Sequence, residues 1–433
     1  MPPRPAAGVA SEPRDALALL PLALPLPLAL RIWRSLPCDV RLRCREVCRA
    51  WRNALAEPCL WTELDLTETS GVTARITPAL LLAAEASAEG ELECLSVTYN
   101  HRLYDALRTV VTENADTLRH LRIVRGANGY CNGDAFVDLM HIMPQHCVVE
   151  ADVLALGGAH GPMLRNEPPF QNLRLRALRF WANAGTDPDG MATALKAHAS
   201  LCKVEICGVR LDTFAAVDVV VDAALALRLT TLKLQDCRII PASSMALQRL
   251  LRDGEALQEL SLSGGLLETH LLDAHVAPLL ADALRSNRTL TSLTLHDMGL
   301  RRDPGAMATM LGGLVGHASL TSCTLQHLGG HQAEPILGPV FGALVAADSP
   351  LRMLDISRCM LGDVGMGPLV DALPRNTHLQ ELLCPDSGMS PAFVRDRLMP
   401  ALRDANTSLR VLVSGSAEAD AFVAARTAAA ARS

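Results

Sequence analysis

The sequence predicts an α/β solenoid, with parallel strands on one side and helices on the other, preceded by a short helical module. Three observations predict it. A spacing of the form Leu-x-x-Leu-x-Leu recurs twelve times between Leu92 and Leu409. Segments of helical period separate the copies. Apolar residues make up 49% of the chain but aromatics only 3%, so the interior has to be built from Leu, Val and Ala. A unit that cannot bury its apolar side alone can do so by stacking on copies of itself.

The chain begins with residues 1–23, whose first fifteen are rich in Pro and Ala and predict disorder. Residues 16–30, ALALLPLALPLPLAL, form an uncharged apolar run behind Arg4 and Arg14. Glu12 and Asp15 before the run, and Pro21, Pro25 and Pro27 inside it, argue against a secretory leader. The run is also shorter than the ~20 residues that span a bilayer.

Residues 24–66 read as the helical module. Ile32, Trp33 and Leu36 fall on one side of a first helix. Leu42, Val47, Trp51 and Leu55 form a second apolar stripe, and Arg41, Arg43, Arg45, Arg49 and Arg52 are expected on its other, solvated faces. Trp61, Leu64 and Leu66 close the module. So short a segment cannot bury a large core alone, so it should lean on a partner and on the domain after it.

Residues 67–414 carry the repeats. Their first positions are Leu92, Leu118, Val148, Leu175, Leu201, Leu229, Leu257, Leu290, Leu320, Leu351, Leu379 and Leu409, with steps between 26 and 33 residues. The copy at Val148-Ala151-Val153 is weak, and GAHGPMLRNEPPF (158–170) predicts a longer loop. The segments 275–287, 366–376 and 393–406 are amphipathic and end in Asn287, Asn376 and Asn406, three residues before the next strand. Asn tolerates the left-handed conformation that stops a helix, so each Asn is expected to act as a C-terminal cap. The Ala-rich segment 415–433 can either cap the stack or fray.

Two resemblances follow from these residues. The run from Leu24-Pro25 through Ile32-Trp33 and Leu36 to Val47-Cys48, Trp51 and Trp61 resembles an F-box, with Pro27 standing where that family usually carries an acidic residue. The repeats, with Asn100, Asn183, Cys237 and Cys359 as turn residues, resemble leucine-rich repeats of the ribonuclease-inhibitor type over about residues 61–414. The F-box resemblance implies docking on a Skp-type adaptor of a cullin ubiquitin ligase through Leu24, Pro25, Ile32, Trp33, Leu36, Val47 and Trp51.

In each repeat the leucines face inward, and the third, fifth and seventh positions face the concave side. Large side chains at or beside these positions gather early, at Arg122, Arg125, Arg179, Trp181 and Lys203. Arg with Trp is the usual composition of a binding hot spot, and these five are the candidate target-binding residues. Later strands carry Ser261, Ser263, Ser292, Thr294, Ser322 and Thr324.

The sequence contains no Gly-rich phosphate loop, G-x-S-x-G elbow, H-E-x-x-H or C-x-x-C. Cys44 and Cys48 are four apart, as are His327 and His331, but neither pair has the further ligands zinc requires. Asn287 and Asn406 lie in N-x-Thr and N-x-Ser contexts that the repeat turns already explain. No catalytic residue, metal or cofactor is therefore expected. The net charge of -6 argues against nucleic acid as a partner, and thirteen scattered cysteines suit a reducing cytosol or nucleus.

The reading that combines both resemblances is a non-enzymatic substrate receptor of a Skp–cullin–F-box ubiquitin ligase. The module would hold the adaptor, the concave face would hold a protein target, and no membrane is involved. The alternative is a repeat scaffold that binds protein without a ligase.

Overall fold

The structure is a computed structural model. It describes residues 32–33, 36, 38–47, 53, 55, 57–67, 77–99, 101–125, 131–151, 154–157, 170–181, 188–207, 214–235, 244–264, 275–296, 303–328, 334–346, 348–404 and 408–431. The fold is α/β, with parallel strands and repeated helices. The chain divides into two compact units. One comprises Met1–Ala155 with Asn166–Arg176, the other Leu156–Arg165 with Ala177–Ser433.

The first unit runs α1 (Cys38–Val47), a 3-10 turn (Pro58–Leu60), β1 (Glu63–Leu66), α2 (Pro78–Ala88), β2 (Cys94–Tyr99) and α3 (Tyr104–Glu113). It continues as β3 (His120–Arg125), β4 (Cys131–Asn132), α4 (Gly133–Ile142) and β5 (Val148–Ala151), and β6 (Leu154–Gly157) begins in it. β7 (Leu173–Leu175) completes a five-stranded parallel sheet in the order β1-β2-β3-β5-β7. β4 and β6 pair outside that five-stranded sheet, Cys131 opposite Leu154 and Asn132 opposite Ala155. Alternation decides the faces. Leu64, Leu95, Leu121, Val149 and Leu173 share one register row and are all buried. α2 starts where Thr77 accepts a hydrogen bond from the Leu80 N–H and Pro78 takes the first turn.

The helical module rests on this unit. Ile32 is 45% exposed while its neighbour Trp33 is 4% exposed, because successive helical residues point about 100° apart. The Leu36 N–H donates to the Trp33 carbonyl at 3.2 Å, and Val47 is the last residue of α1. Leu24, Pro25, Pro27, Cys48 and Trp51 lie outside the described residues.

The expected solvated arginine face is corrected at Arg41, which is only 5% exposed. Its guanidinium lies 5.0 Å from the centre of the Trp61 ring and donates to the Leu60 carbonyl. Arg45, one turn later, lies 5.9 Å from the same ring and donates to Ser87 Oγ. The Trp61 indole N–H donates to the Leu55 carbonyl at 2.8 Å. The ring face and the turn's carbonyl replace the water that a buried guanidinium gives up.

The second unit is a longer stack. Its elements are β8 (Ala177–Trp181), α5 (Pro188–Ala197), β9 (Lys203–Cys207), α6 (Phe214–Ala226), β10 (Thr231–Gln235) and α7 (Ser244–Asp253). Then follow β11 (Glu259–Ser263), α8 (Val276–Ser286), β12 (Ser292–His296), α9 (Pro304–Gly312), β13 (Ser322–Gln326) and α10 (Glu334–Leu344). It ends with β14 (Met353–Asp355), α11 (Gly362–Ala372) and β15 (Glu381–Leu383), a helix α12 from Pro391 to Asp404 with a π turn at Val394–Leu398, β16 (Val411–Val413) and α13 (Ala417–Ala430). The strands β8 to β16 pair in chain order, all parallel. The row Leu178, Val204, Leu232, Leu260, Leu293, Cys323, Leu354, Leu382 and Leu412 is buried throughout. Each full burial of such a side chain contributes about 1.5–3 kcal/mol.

The asparagines work differently from the sequence expectation. Asn287 has φ −65° and ψ 139°, and Asn376 has φ −80° and ψ 127°, so neither is left-handed. Both act through the side chain. Asn287 Nδ2 donates to the Leu251 carbonyl of the preceding repeat at 2.6 Å, and its Oδ1 accepts from the Thr289 and Leu290 N–H groups at 3.0 and 2.8 Å. Asn376 repeats the pattern, donating to the Val345 and Ala346 carbonyls and accepting from the His378 and Leu379 N–H groups. A short amide supplies donors and acceptor together, which the buried ends of a helix and a strand both need. Asn406 lies outside the described residues.

The C-terminal segment caps the stack. Arg426 on α13 donates to the Leu402 and Leu409 carbonyls at 2.9 and 2.8 Å, and Thr427 Oγ1 donates to the Arg410 carbonyl at 3.0 Å. β16 is thereby joined to β15 on one side and tied to α13 through its leading segment.

Candidate functional site

With the leucines turned inward, the alternate residues of each strand stand on the sheet face opposite the buried row. In the second unit this open face has three lateral rows fixed by the register. The first is Ala177, Lys203, Thr231, Glu259, Ser292, Ser322, Met353, Glu381 and Val411. The second is Arg179, Glu205, Lys233, Ser261, Thr294, Thr324, Asp355, Leu383 and Val413. The third holds Cys207, Gln235, Ser263, His296 and Gln326.

The rows change chemistry along the stack. At β8–β11 the charges neutralise one another. Arg179 Nη2 lies 3.2 Å from Glu205 Oε1 and donates to Gln235 Oε1 at 3.4 Å. Lys233 Nζ lies 2.5 Å from Glu259 Oε1, and Thr231 Oγ1 donates to Glu259 Oε2 at 3.3 Å. At β11–β13 small hydroxyl residues take over, with Ser263 Oγ 3.4 Å from His296 Nδ1. The His296 and His327 rings meet edge to face, 5.3 Å between centres.

Asp355, on β14, is buried and held by Gln326 Nε2 at 2.6 Å, the Ser357 N–H at 2.9 Å and Ser357 Oγ. Beyond it the face turns apolar. Met353 and Leu383 are half-buried, Val411 is 42% exposed and Val413 40%.

Two open-face charges stand outside these pairs. Lys203 is exposed at the start of β9 and Glu381 at the start of β15, and among the described residues neither side chain has a hydrogen bond or ion pair. Along the strand ends, His327, Arg358 and Asp386 occupy the same place in three successive repeats with φ of 56°, 60° and 55°. Arg358 Nη1 lies 3.2 Å from His327 Nε2, and its Nε lies 3.8 Å from Asp386 Oδ2. Backbone bonds to the next repeat, His327 N–H to Ser357 carbonyl and Arg358 N–H to Pro385 carbonyl, hold these left-handed residues.

The five residues singled out from the sequence divide between the units. Arg122 stands half-buried on β3 of the first unit, in register with Ser96 and Glu150. Arg125 ends the same strand opposite Tyr99, and its side chain lies outside the description. Arg179, Trp181 and Lys203 come together on β8 and β9 of the second unit. Arg179 is committed to Glu205 and Gln235. Trp181 is in register with Cys207, and its side chain also lies outside the description. The sequence reading passed over Met353, Leu383, Val411 and Val413, although they occupy the same third and fifth positions of their repeats. Searching those offsets for apolar residues would have found them.

Burial raises the thiols of Cys147, Cys323 and Cys384 to about 12 each, so these side chains are neutral core residues. Among the described residues no group of three or more His, Cys, Asp or Glu side chains could hold a metal. No helix among them is long and apolar enough to cross a membrane.

Among solved structures, an internalin from Listeria monocytogenes matches 77% of this chain and 89% of its own at 13% identity, with a TM-score of 0.30. No protein-family model and no curated protein matches.

Proposed function

We propose that this chain is a protein-recognition scaffold that binds a partner on the open sheet face of its second unit and performs no chemistry itself. One observation carries the reading. Nine parallel strands present ordered rows of side chains on one face, and their chemistry passes from paired charges to hydroxyls to apolar groups. A rigid parallel sheet holds such rows without an ordering cost at binding. The test is a photo-crosslinking amino acid placed at Thr294 on the open face or at Met245 on α7, which is 55% exposed. Adducts with the same partner from Thr294 and none from Met245 are expected. Equal labelling at both sites would remove the open face as the binding surface.

The finer reading is that residues 24–66 dock on a Skp-type adaptor, making the chain the substrate receptor of a Skp–cullin–F-box ubiquitin ligase in the cytoplasm or nucleus. It rests on the sequence pattern from Leu24-Pro25 to Trp61. The scaffold would then raise the local concentration of target lysines at the ligase. Deleting residues 1–66 is a poor test, because Arg45 donates to Ser87 on α2 and β1 pairs with β2 in the sheet. Ile32→Asp is cleaner, since Ile32 is exposed. Loss of adaptor binding by the full chain carrying Ile32→Asp is expected. Failure of the unaltered chain to bind the adaptor would leave the scaffold alone.

A further inference from the structure

The open face of the second unit is polar along most of its length and apolar at one end. On β9–β13 the outward positions are Lys, Glu, Thr, Ser, His and Gln with a single Cys. On β14–β16 they include Met353, Leu383, Val411 and Val413, adjacent in register: Met353 and Val411 flank Glu381, and Leu383 lies between Asp355 and Val413. An exposed strand ordinarily puts polar residues on its solvent side, yet β16 exposes Val on both outward positions. Scattered apolar residues need no explanation, but a contiguous set with a polar rim marks an interaction surface.

Among the described residues, nothing in the chain covers this set. α13 is tied to the backbone of 402–410 and leaves Val411 and Val413 about two-fifths exposed. What the set receives is indicated by charge. Glu205 and Glu259 on the same face are ion-paired, and Asp355 is saturated by hydrogen bonds. Glu381, in the middle of the apolar set, is exposed and has no partner among the described residues. A carboxylate bordered by Met and Val loses hydration when anything apolar lands beside it, which costs free energy unless a cation arrives with it.

We propose that this end of the face docks a protein segment that places an aliphatic side chain next to a Lys or Arg. The aliphatic group packs on Val411, Val413 and Leu383, and the cation pairs with Glu381. This deepens the scaffold reading above and rests on it.

The test uses the full chain and short fluorescein-labelled peptides followed by anisotropy. One peptide has a Leu-Lys-Leu core, one Leu-Glu-Leu, and one Ser-Lys-Ser. Preferential binding of Leu-Lys-Leu is expected. Glu381→Lys should weaken it roughly tenfold, the factor that about 1.4 kcal/mol represents, and should favour Leu-Glu-Leu instead. Val411→Asp should abolish binding of both. Because Glu381 is exposed, Glu381→Lys keeps the fold, which its unchanged melting temperature checks, so the charge swap decides even where Val411→Asp does not fold. Equal binding of all three peptides, no binding, an affinity indifferent to Glu381→Lys, or self-association of the chain through this patch would overturn the proposal. Failure here with Thr294 crosslinking intact would leave the scaffold reading standing with its docking point elsewhere on the face.

Discussion

Asn287 and His317 fill the same place in neighbouring repeats, three residues before the first inward leucine of the next strand. Asn287 answers three backbone groups there, whereas both ring nitrogens of His317 are buried without a hydrogen-bond partner among the described residues. Burial, and then the Arg288 charge, lower the His317 pKa below 6.5. The folded state therefore holds His317 neutral. Its contribution to stability is present above pH 6.5 and is lost as the pH falls from there toward the folded value. Melting or urea titrations should show lower stability at pH 5 than at pH 7.5, with a slope from this one group of at most about 1.4 kcal/mol per pH unit. His317→Asn should flatten that slope, and a slope unchanged in the variant would mean another group carries it. Asn287→Ala should cost about 2–3 kcal/mol, because it orphans buried backbone groups of two repeats at once.

At the scale of elements, the helices differ in how closely they pack. α10 and α11 pack closely, because glycines remove the side chains between them. A Cβ on Gly338 would lie 2.7 Å from the Gly365 carbonyl oxygen, and one on Gly342 would lie 2.8 Å from that of Pro368. Neither obstacle is a flexible side chain. Gly338→Ala or Gly342→Ala should therefore destabilise by about 1–3 kcal/mol despite alanine's better helix propensity, read as a lower denaturation midpoint. Gly312→Ala on α9, where no atom lies within 4 Å of the added carbon, is the control and should be neutral or slightly stabilising. Much of this level was legible in the chain. Eleven of the twelve copies place their strand correctly, two residues after the first position, and helices fill the intervals. The weak copy at Val148 is displaced by two residues, since β5 already begins at Val148 and Val149 takes the place of Leu121 in the buried row. The glycines of α10 and α11 show in the sequence too, but which helix they admit does not, because that partner lies in another repeat.

For the molecule as a whole, stability depends on each repeat covering the next, so the ends matter. Removing α13 by ending the chain at Ser414 strips the donors from the Leu402, Leu409 and Arg410 carbonyls and bares the surface that the buried Ala419 and Val423 cover. A lower melting temperature and concentration-dependent aggregation are expected, measured by calorimetry and light scattering. The buried thiols report integrity in the same way. With Cys147, Cys323 and Cys384 held near 12, they should resist alkylation at pH 8 in the folded protein and react in urea. Their contribution to stability is present below pH 9 and declines as the pH rises toward the folded values.

The sequence by itself determined the repeat, the strand positions of eleven copies and which side of those strands faces the core. Those follow from the twofold alternation of an extended backbone, a property of a few consecutive residues. Only the tertiary structure decided which charges cancel. Arg179 meets Glu205 and Gln235 from two later repeats, Arg41 goes under Trp61, and Glu381, among valines and methionine, has no partner among the described residues. The Arg179 and Glu381 cases depend on lateral register between strands a whole repeat apart in the chain, and the Arg41 case on how α1 packs against the turn before β1. That register is set by stacking and cannot be read from the spacing within one repeat.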